Sequence, residues 1–171
     1  GGGVTWTQQV GTWAVGSAKA NAATLSGGIA VATVSLTTAN VVMGAACVRS
    51  AGEVGVVLSW ADSSNYVRAL HNGTNVQLIK TVAGTPTTLV NAAATYSAGA
   101  RLVVTKDGTA YRVYYNNALV GTEQTIADAG IISNTLHGLF STDPSNTLDD
   151  FVVYARGNEG QYASLDRYSG S

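Results

Sequence analysis

The side chains best suited to chemistry in this 171-residue chain gather in one stretch, Ser59–Gly73, which reads SWADSSNYVRALHNG. Saccharides present apolar C–H faces and rings of hydroxyls, so a protein that holds them needs aromatic surfaces beside planar hydrogen-bonding groups. Trp60, Tyr66 and Arg68 are of those types, with Asp62, Asn65 and His71 in the flanking turns and Tyr114 on a later segment. Trp60 follows Val56 and Leu58 at alternate positions, which favours a packing role on an apolar face over a ligand platform. Tyr66 and Arg68 share parity and are expected to reach the surface together. His71 stands just before Asn72-Gly73 and reads as an exposed strand end. Asn72-Gly73-Thr74 also spells a glycosylation sequon.

Catalytic chemistry finds less support. Glycoside hydrolysis needs two carboxylates about 5–9.5 Å apart. Glu53, Glu123 and Glu159 stand alone, and the neighbours Asp149 and Asp150 are expected to point to opposite faces of a strand. The two histidines, His71 and His137, have no Gly-x-Ser-x-Gly elbow to serve. The single cysteine, Cys47, lies in VVMGAACV; it allows no intrachain disulfide and reads as a small buried hydrophobe. Two histidines and one cysteine, widely spaced, do not make a zinc site.

The elements that would position these residues are strands. Val, Thr, Ile and Tyr alternate with polar residues in short runs broken by Gly, Asn-Gly and Asp-Gly. Strands are expected near 29–36, 41–49, 54–60, 65–71, 75–82, 87–91, 101–106, 110–116, 118–125, 136–141 and 148–155. Asn72-Gly73, Asp107-Gly108 and Asn116-Asn117 mark hairpin turns. No segment has a capped helical period, and NEGQYASLDRY near the end reads as one helical turn at most. The pattern is that of an all-β protein, a two-sheet antiparallel β-sandwich or barrel. It suits one domain over residues 1–156, followed by a polar extension at 157–171.

Composition narrows the function classes. Charged residues are 11% of the chain and the net charge is −1, far from the basic stripe that a phosphate backbone requires. No nucleic-acid partner is expected. No apolar run reaches the roughly 20 residues of a membrane span, so no membrane insertion is expected either.

Four segments together are similar to laminin-G-like and concanavalin A-like jelly rolls. GTWAVGSAKA at 11–20 resembles their early strand, and GEVGVVLSWADSSNYVRALHNGTNVQLIKTVAGTPTTL at 52–89 their central hairpins. RLVVTKDGTAYRVYYNNALVGTEQTIAD at 101–128 resembles the next pair, and LHGLFSTDPSNTLDDFVVY at 136–154 the closing strands. The resemblance implies two antiparallel sheets in a concanavalin A-like jelly roll. Its members include lectins, glycosidases, adhesion modules and virion proteins, and many hold calcium at the sandwich rim. By that resemblance Asp149 and Asp150, with Asp143 of STDPSN, are the residues expected to hold calcium through oxygen ligands. The Glu-x-Asp-x-x-Glu strand motif of the glucanases of this class is absent.

The expectation that follows is a non-catalytic binding or adhesion module, extracellular or on a virion surface, whose partner is a glycan or other cell-surface polymer. The alternative is a structural subunit of an assembly, such as a phage capsid decoration, tail or fibre protein or a surface filament, whose partners are neighbouring subunits. A glycoside hydrolase ranks last.

Overall fold

A computed structural model of the chain describes residues 5–156 and the backbone of 162–164. The first strands are β1 (Trp6–Val10), β2 (Thr12–Gly16), β3 (Lys19–Thr24), β4 (Ala30–Ser35), β5 (Val41–Val48), β6 (Val54–Asp62), β7 (Asn65–His71) and β8 (Asn75–Val82). There follow β9 (Thr85–Ala93), β10 (Arg101–Asp107), β11 (Ala110–Tyr115), β12 (Ala118–Thr125), the single turn α1 (Ala129–Ile132), β13 (Leu136–Ser141), β14 (Thr147–Ala155) and β15 (Tyr162–Ser164). One sheet of seven strands runs β1-β4-β13-β6-β7-β8-β9. The other runs β12-β11-β10-β5-β14-β3-β2, and β15 pairs with β14. The two sheets stack as an antiparallel sandwich.

Each expected strand is present, and the turns are those the sequence spells. Asn116 and Asn117 both take positive φ, at 48° and 67°, which is the conformation a tight hairpin between β11 and β12 demands. Gly108 does the same between β10 and β11, at 56°. Strands β1 and β3 go beyond the expected set, and β2 corresponds to the segment that resembled an early strand. Within 158–168, read from sequence as one helical turn at most, Tyr162–Ser164 pair antiparallel with Val152–Tyr154. The rest of the 157–171 extension lies outside the described residues.

Between the sheets lies the main core: Val54, Val56, Leu58, Val67, Ala69 and Leu139 from one side meet Met43, Leu102, Val104, Tyr111, Phe151 and Val153 from the other. Trp6 packs edge-on to Phe151, with ring centroids 5.1 Å apart. Cys47 is 1% exposed in this core, and burial pushes its thiol up to about 12. A thiol so sealed and so far from its thiolate reacts slowly. Ellman's reagent is therefore expected to leave Cys47 unlabelled in the folded protein and to titrate one thiol in denaturant.

A second apolar cluster forms on the outer face of the seven-stranded sheet. It contains Val31, Val57, Trp60, Tyr66, Leu70, Ile79 and Phe140. This cluster corrects the placement of Trp60 beside Val56 and Leu58. Ser59 takes φ 51°, and the pairing of β6 with β7 slips between Leu58 and Asp62. The resulting bulge resets the alternation, as an extra residue in one strand must. Leu58 therefore stays inside the sandwich and Trp60 joins Val57 outside it.

A second bulge corrects the reading of Asp149 and Asp150. Asp150 has φ 47°, and the β14–β5 register shifts between Asp149 and Val152. Leu148, Phe151 and Val153 thus all enter the core, while Asp149 is half-buried and Asp150 exposed.

Candidate functional site

Register across the seven-stranded sheet sets out its outer face row by row. One row reads Thr7, Thr33, Gly138, Val57, Arg68, Ile79 and Thr88. The next reads Val10, Val31, Phe140, Gly55, Leu70, Gln77 and Asn91. Two glycines therefore leave the middle of the face without side chains. Their lack of a Cβ is required: one added at Gly138 would lie 1.9 Å from the Ala32 carbonyl oxygen, and one at Gly55 would lie 2.0 Å from that of Ala69.

Arg68 spans this gap. Its guanidinium carbon lies 5.3 Å from the centre of the Phe140 ring and 5.7 Å from that of Tyr66. One Nη donates to the Tyr66 hydroxyl at 2.8 Å. Tyr66 in turn stacks at a tilt on Trp60, 4.9 Å between centroids. Tyr66 and Arg68 do share a face and touch, but Tyr66 is 4% exposed and Trp60 is 3% exposed. The two aromatics are the floor beneath the guanidinium and not a platform open to solvent.

Planar amides frame the floor. Asn91 Oδ1 accepts from Asn75 at 2.7 Å and from Gln77 at 3.0 Å. On the far side Gln9 donates to the Thr33 hydroxyl at 2.9 Å. A shallow cleft of about 520 Å³ opens at that side, lined by Gln9, Val10, Gly11, Gly27, Ile29 and Ser63.

The other expected residues lie elsewhere. Asp62 and Asn65 close the β6–β7 turn, Asp62 Oδ1 accepting from the Ser64 N–H at 2.7 Å and from Asn65 Nδ2 at 3.1 Å. Asn65 Oδ1 accepts from the Ala83 N–H at 3.1 Å and ties that turn to the next one. His71 is not an exposed strand end. It is 1% exposed, Nδ1 accepts from the Gly73 N–H at 2.9 Å, and Nε2 meets the Ala94 carbonyl at 3.1 Å. Nδ1 being an acceptor, Nε2 carries the proton, and burial holds the ring's pKa below its ordinary value. Tyr114 lies on the opposite sheet. There it belongs to an outer row of Leu119, Tyr114, Val103, Gly44 and Val152.

Of the carboxylates named for calcium, Asp143 closes a turn and Asp149 accepts within the bulge of β14. Asp143 accepts from the Ser145 N–H at 2.9 Å and from its hydroxyl, and these bonds lower its pKa. Asp149 accepts from the Asp150 N–H at 2.8 Å. Among the described residues no three His, Cys, Asp or Glu side chains come together to hold a metal ion.

A buried polar cluster inside the sandwich escaped the sequence reading, and it controls the face above it. The Ser59 N–H donates to His137 Nδ1 at 3.2 Å, and the Ser59 carbonyl accepts from Asn134 at 3.3 Å. The Ser59 and Tyr111 hydroxyls lie 3.4 Å apart. Lys106, 1% exposed, donates to the Ile132 carbonyl at 3.0 Å and lies over the Tyr111 ring. These bonds hold the strained Ser59 bulge from inside, and the bulge is what delivers Trp60 to the floor under Arg68. The available signals were single polar residues at inward positions of apolar strands, Lys106 after Leu102 and Val104 above all.

No family model matches the chain, and no curated protein matches its sequence. Solved structures do match its shape. The carbohydrate-binding module CBM66 from Bacillus subtilis superposes with a TM-score of 0.73 at 16% identity, over 88% of this chain and 95% of its own. Crh5 transglycosylase in complex with NAG gives 0.59 at 15% identity, over 93% of this chain and 81% of that one. Sheep galectin-11 in complex with glycerol gives 0.53 at 15% identity, over 71% and 94%. By its own two sheets and by these likenesses, the chain has the antiparallel jelly-roll fold of the concanavalin A-like β-sandwiches.

Proposed function

We propose that this chain is a non-catalytic carbohydrate-binding module whose site is the outer face of the seven-stranded sheet, acting outside the cell on a cell-surface or extracellular polymer. The observation that carries the reading is Arg68, held by Tyr66 and Phe140 over a floor free of side chains at Gly55 and Gly138. Sugar hydroxyls suit the guanidinium and amide donors of this face, and the apolar residues beneath them are buried and support the guanidinium from below. The neighbour of similar shape named a carbohydrate-binding module supports the reading. The transglycosylase is an enzyme on the same fold, and fold alone does not choose between binding and catalysis. What favours binding is the face itself: Asp62 is the one carboxylate on its seven strands, and it is bonded into a turn. A mechanism with paired carboxylates would need a second.

The test is a glycan array followed by calorimetric titration of each hit. Arg68→Ala is expected to weaken saccharide binding about tenfold or more, the worth of one hydrogen bond to a charged group at about 1.5–3 kcal/mol. Tyr114→Ala, on the opposite sheet, is expected to leave affinity unchanged. Loss on Tyr114→Ala with none on Arg68→Ala would move the site to the other face.

A second reading has its own observation. Leu119, in the row of Tyr114 and Val103, and Tyr154, one row over with Val42 and Thr105, are each 51% exposed on the outer face of the other sheet. Exposed apolar residues in one patch favour contact with another chain, which fits an assembly subunit. Sedimentation at rising concentration separates the two: a monomer throughout argues for the free module.

A further inference from the structure

The charge at the centre of the face narrows the ligand class. The seven strands of the sheet carry three formally charged side chains, Asp62, Arg68 and Lys80. Asp62 is bonded into its turn, and Lys80 pairs with Asp128 at 2.8 Å. Arg68 has no such partner: the ion pairs among the described residues are those of Lys80, Arg112 and Arg156. Its nearest polar contact is a neutral hydroxyl, that of Tyr66. Its Nε–H is sealed from solvent with no acceptor. The side chain is half-buried, against Phe140 and between Val57 and Ile79 across the strands.

A guanidinium stays charged at every ordinary pH, and apolar surroundings strengthen its pull on an anion. Its planar fork matches the two oxygens of a carboxylate. A ring hydroxyl would satisfy one N–H and leave the charge uncompensated. Resting on the carbohydrate-binding reading, we infer that the preferred ligand is an acidic saccharide whose uronate carboxylate sits on Arg68, with neighbouring ring hydroxyls toward the Gln77 and Asn91 amides. These amides lie one row over, and Gln77 faces Ile79 along β8.

Three probes against the unmodified protein test this: oligogalacturonate, its fully methyl-esterified form and a neutral oligogalactoside. The ester keeps the shape of the acid and removes the charge, so no variant needs to fold for this arm. The acid is expected to bind at least tenfold more tightly than either neutral probe, and added salt is expected to weaken that preference. Arg68→Lys is expected to keep part of the preference and Arg68→Gln to abolish it, with circular dichroism confirming that each variant is folded. Equal binding of acid and ester overturns the inference and leaves the carbohydrate-binding reading standing. Binding of a sulfated, carboxylate-free carrageenan oligosaccharide with none of the galacturonate also overturns it. Failure of every saccharide, on these probes and on the array, removes the broader reading itself.

Discussion

Gly138→Ala is expected to destabilise the domain by about 3 kcal/mol, at the upper end for overpacking a close-packed site. The new methyl would lie 1.9 Å from the Ala32 carbonyl oxygen and 2.8 Å from the Thr33 Cα. Both are backbone atoms of β4, so no side chain can turn aside to make room. Strand β13 pairs with β4 on one side and with β6 on the other, so moving it breaks ladders in the middle of the sheet. Gly16→Ala is the matched control. Nothing lies within 4 Å of its added Cβ, and the change is expected to stay within about 0.5 kcal/mol. Urea unfolding of the two variants checks this; equal midpoints would mean that the strands are not held at the described separation.

Acid is expected to unfold the protein through His137. The ring is fully buried, and its pKa falls from 6.5 to about 3, first because burial disfavours the imidazolium and second because the Lys106 ammonium is near. The folded state therefore keeps the ring neutral where the unfolded chain has already protonated it. Between about pH 6.5 and 3 the unfolded state binds the extra proton, so stability falls as pH falls, by about 1.4 kcal/mol per unit from this group. Above pH 6.5 both states are neutral and the contribution is flat. His71, also held below its ordinary value by burial, adds in the same direction. His137→Gln removes the titrating group, and its stability is expected to depend less steeply on pH over that range. An unchanged slope would assign the acid sensitivity to other groups. Because His137 accepts the Ser59 N–H, its protonation also withdraws a support from the bulge under Trp60. Saccharide affinity is accordingly expected to decline along with stability.

The sandwich was legible because its central strands alternate cleanly and its hairpins carry Asn-Gly, Asp-Gly and Asn-Asn. Strands β1 and β3 were not legible: WTQQV interrupts Trp6, Thr7 and Val10 with two glutamines, KANAAT has no branched apolar residue, and their extended form is imposed by their neighbours. Site residues were harder to place for one physical reason. Parity along a strand assigns faces only while the ladder is regular, and both decisive segments are bulged, at Ser59 and at Asp150. Trp60 was therefore put on the wrong face, and Asp149 and Asp150 were set on opposite faces of a strand that is bulged between Asp149 and Val152. Tyr66 and Arg68 lie on an unbroken run of β7 and share a face, but Tyr66 is buried beneath the guanidinium and does not reach the surface with Arg68 as expected. His71 was taken for an exposed end because a turn follows it. Its neighbours Tyr96 and Tyr115, which close over the ring at 5.3 Å and 4.9 Å, are distant in sequence and gave no local sign.

Titration of isotope-labelled protein with a bound saccharide, followed by amide chemical shifts, tests the central claim most directly. The account predicts that the largest shifts fall at Val57, Arg68, Gln77 and Ile79, with the Arg68 side-chain signal moving among them. Shifts confined to Val103, Tyr114, Leu119 and Tyr154 would place the site on the opposite sheet and contradict it.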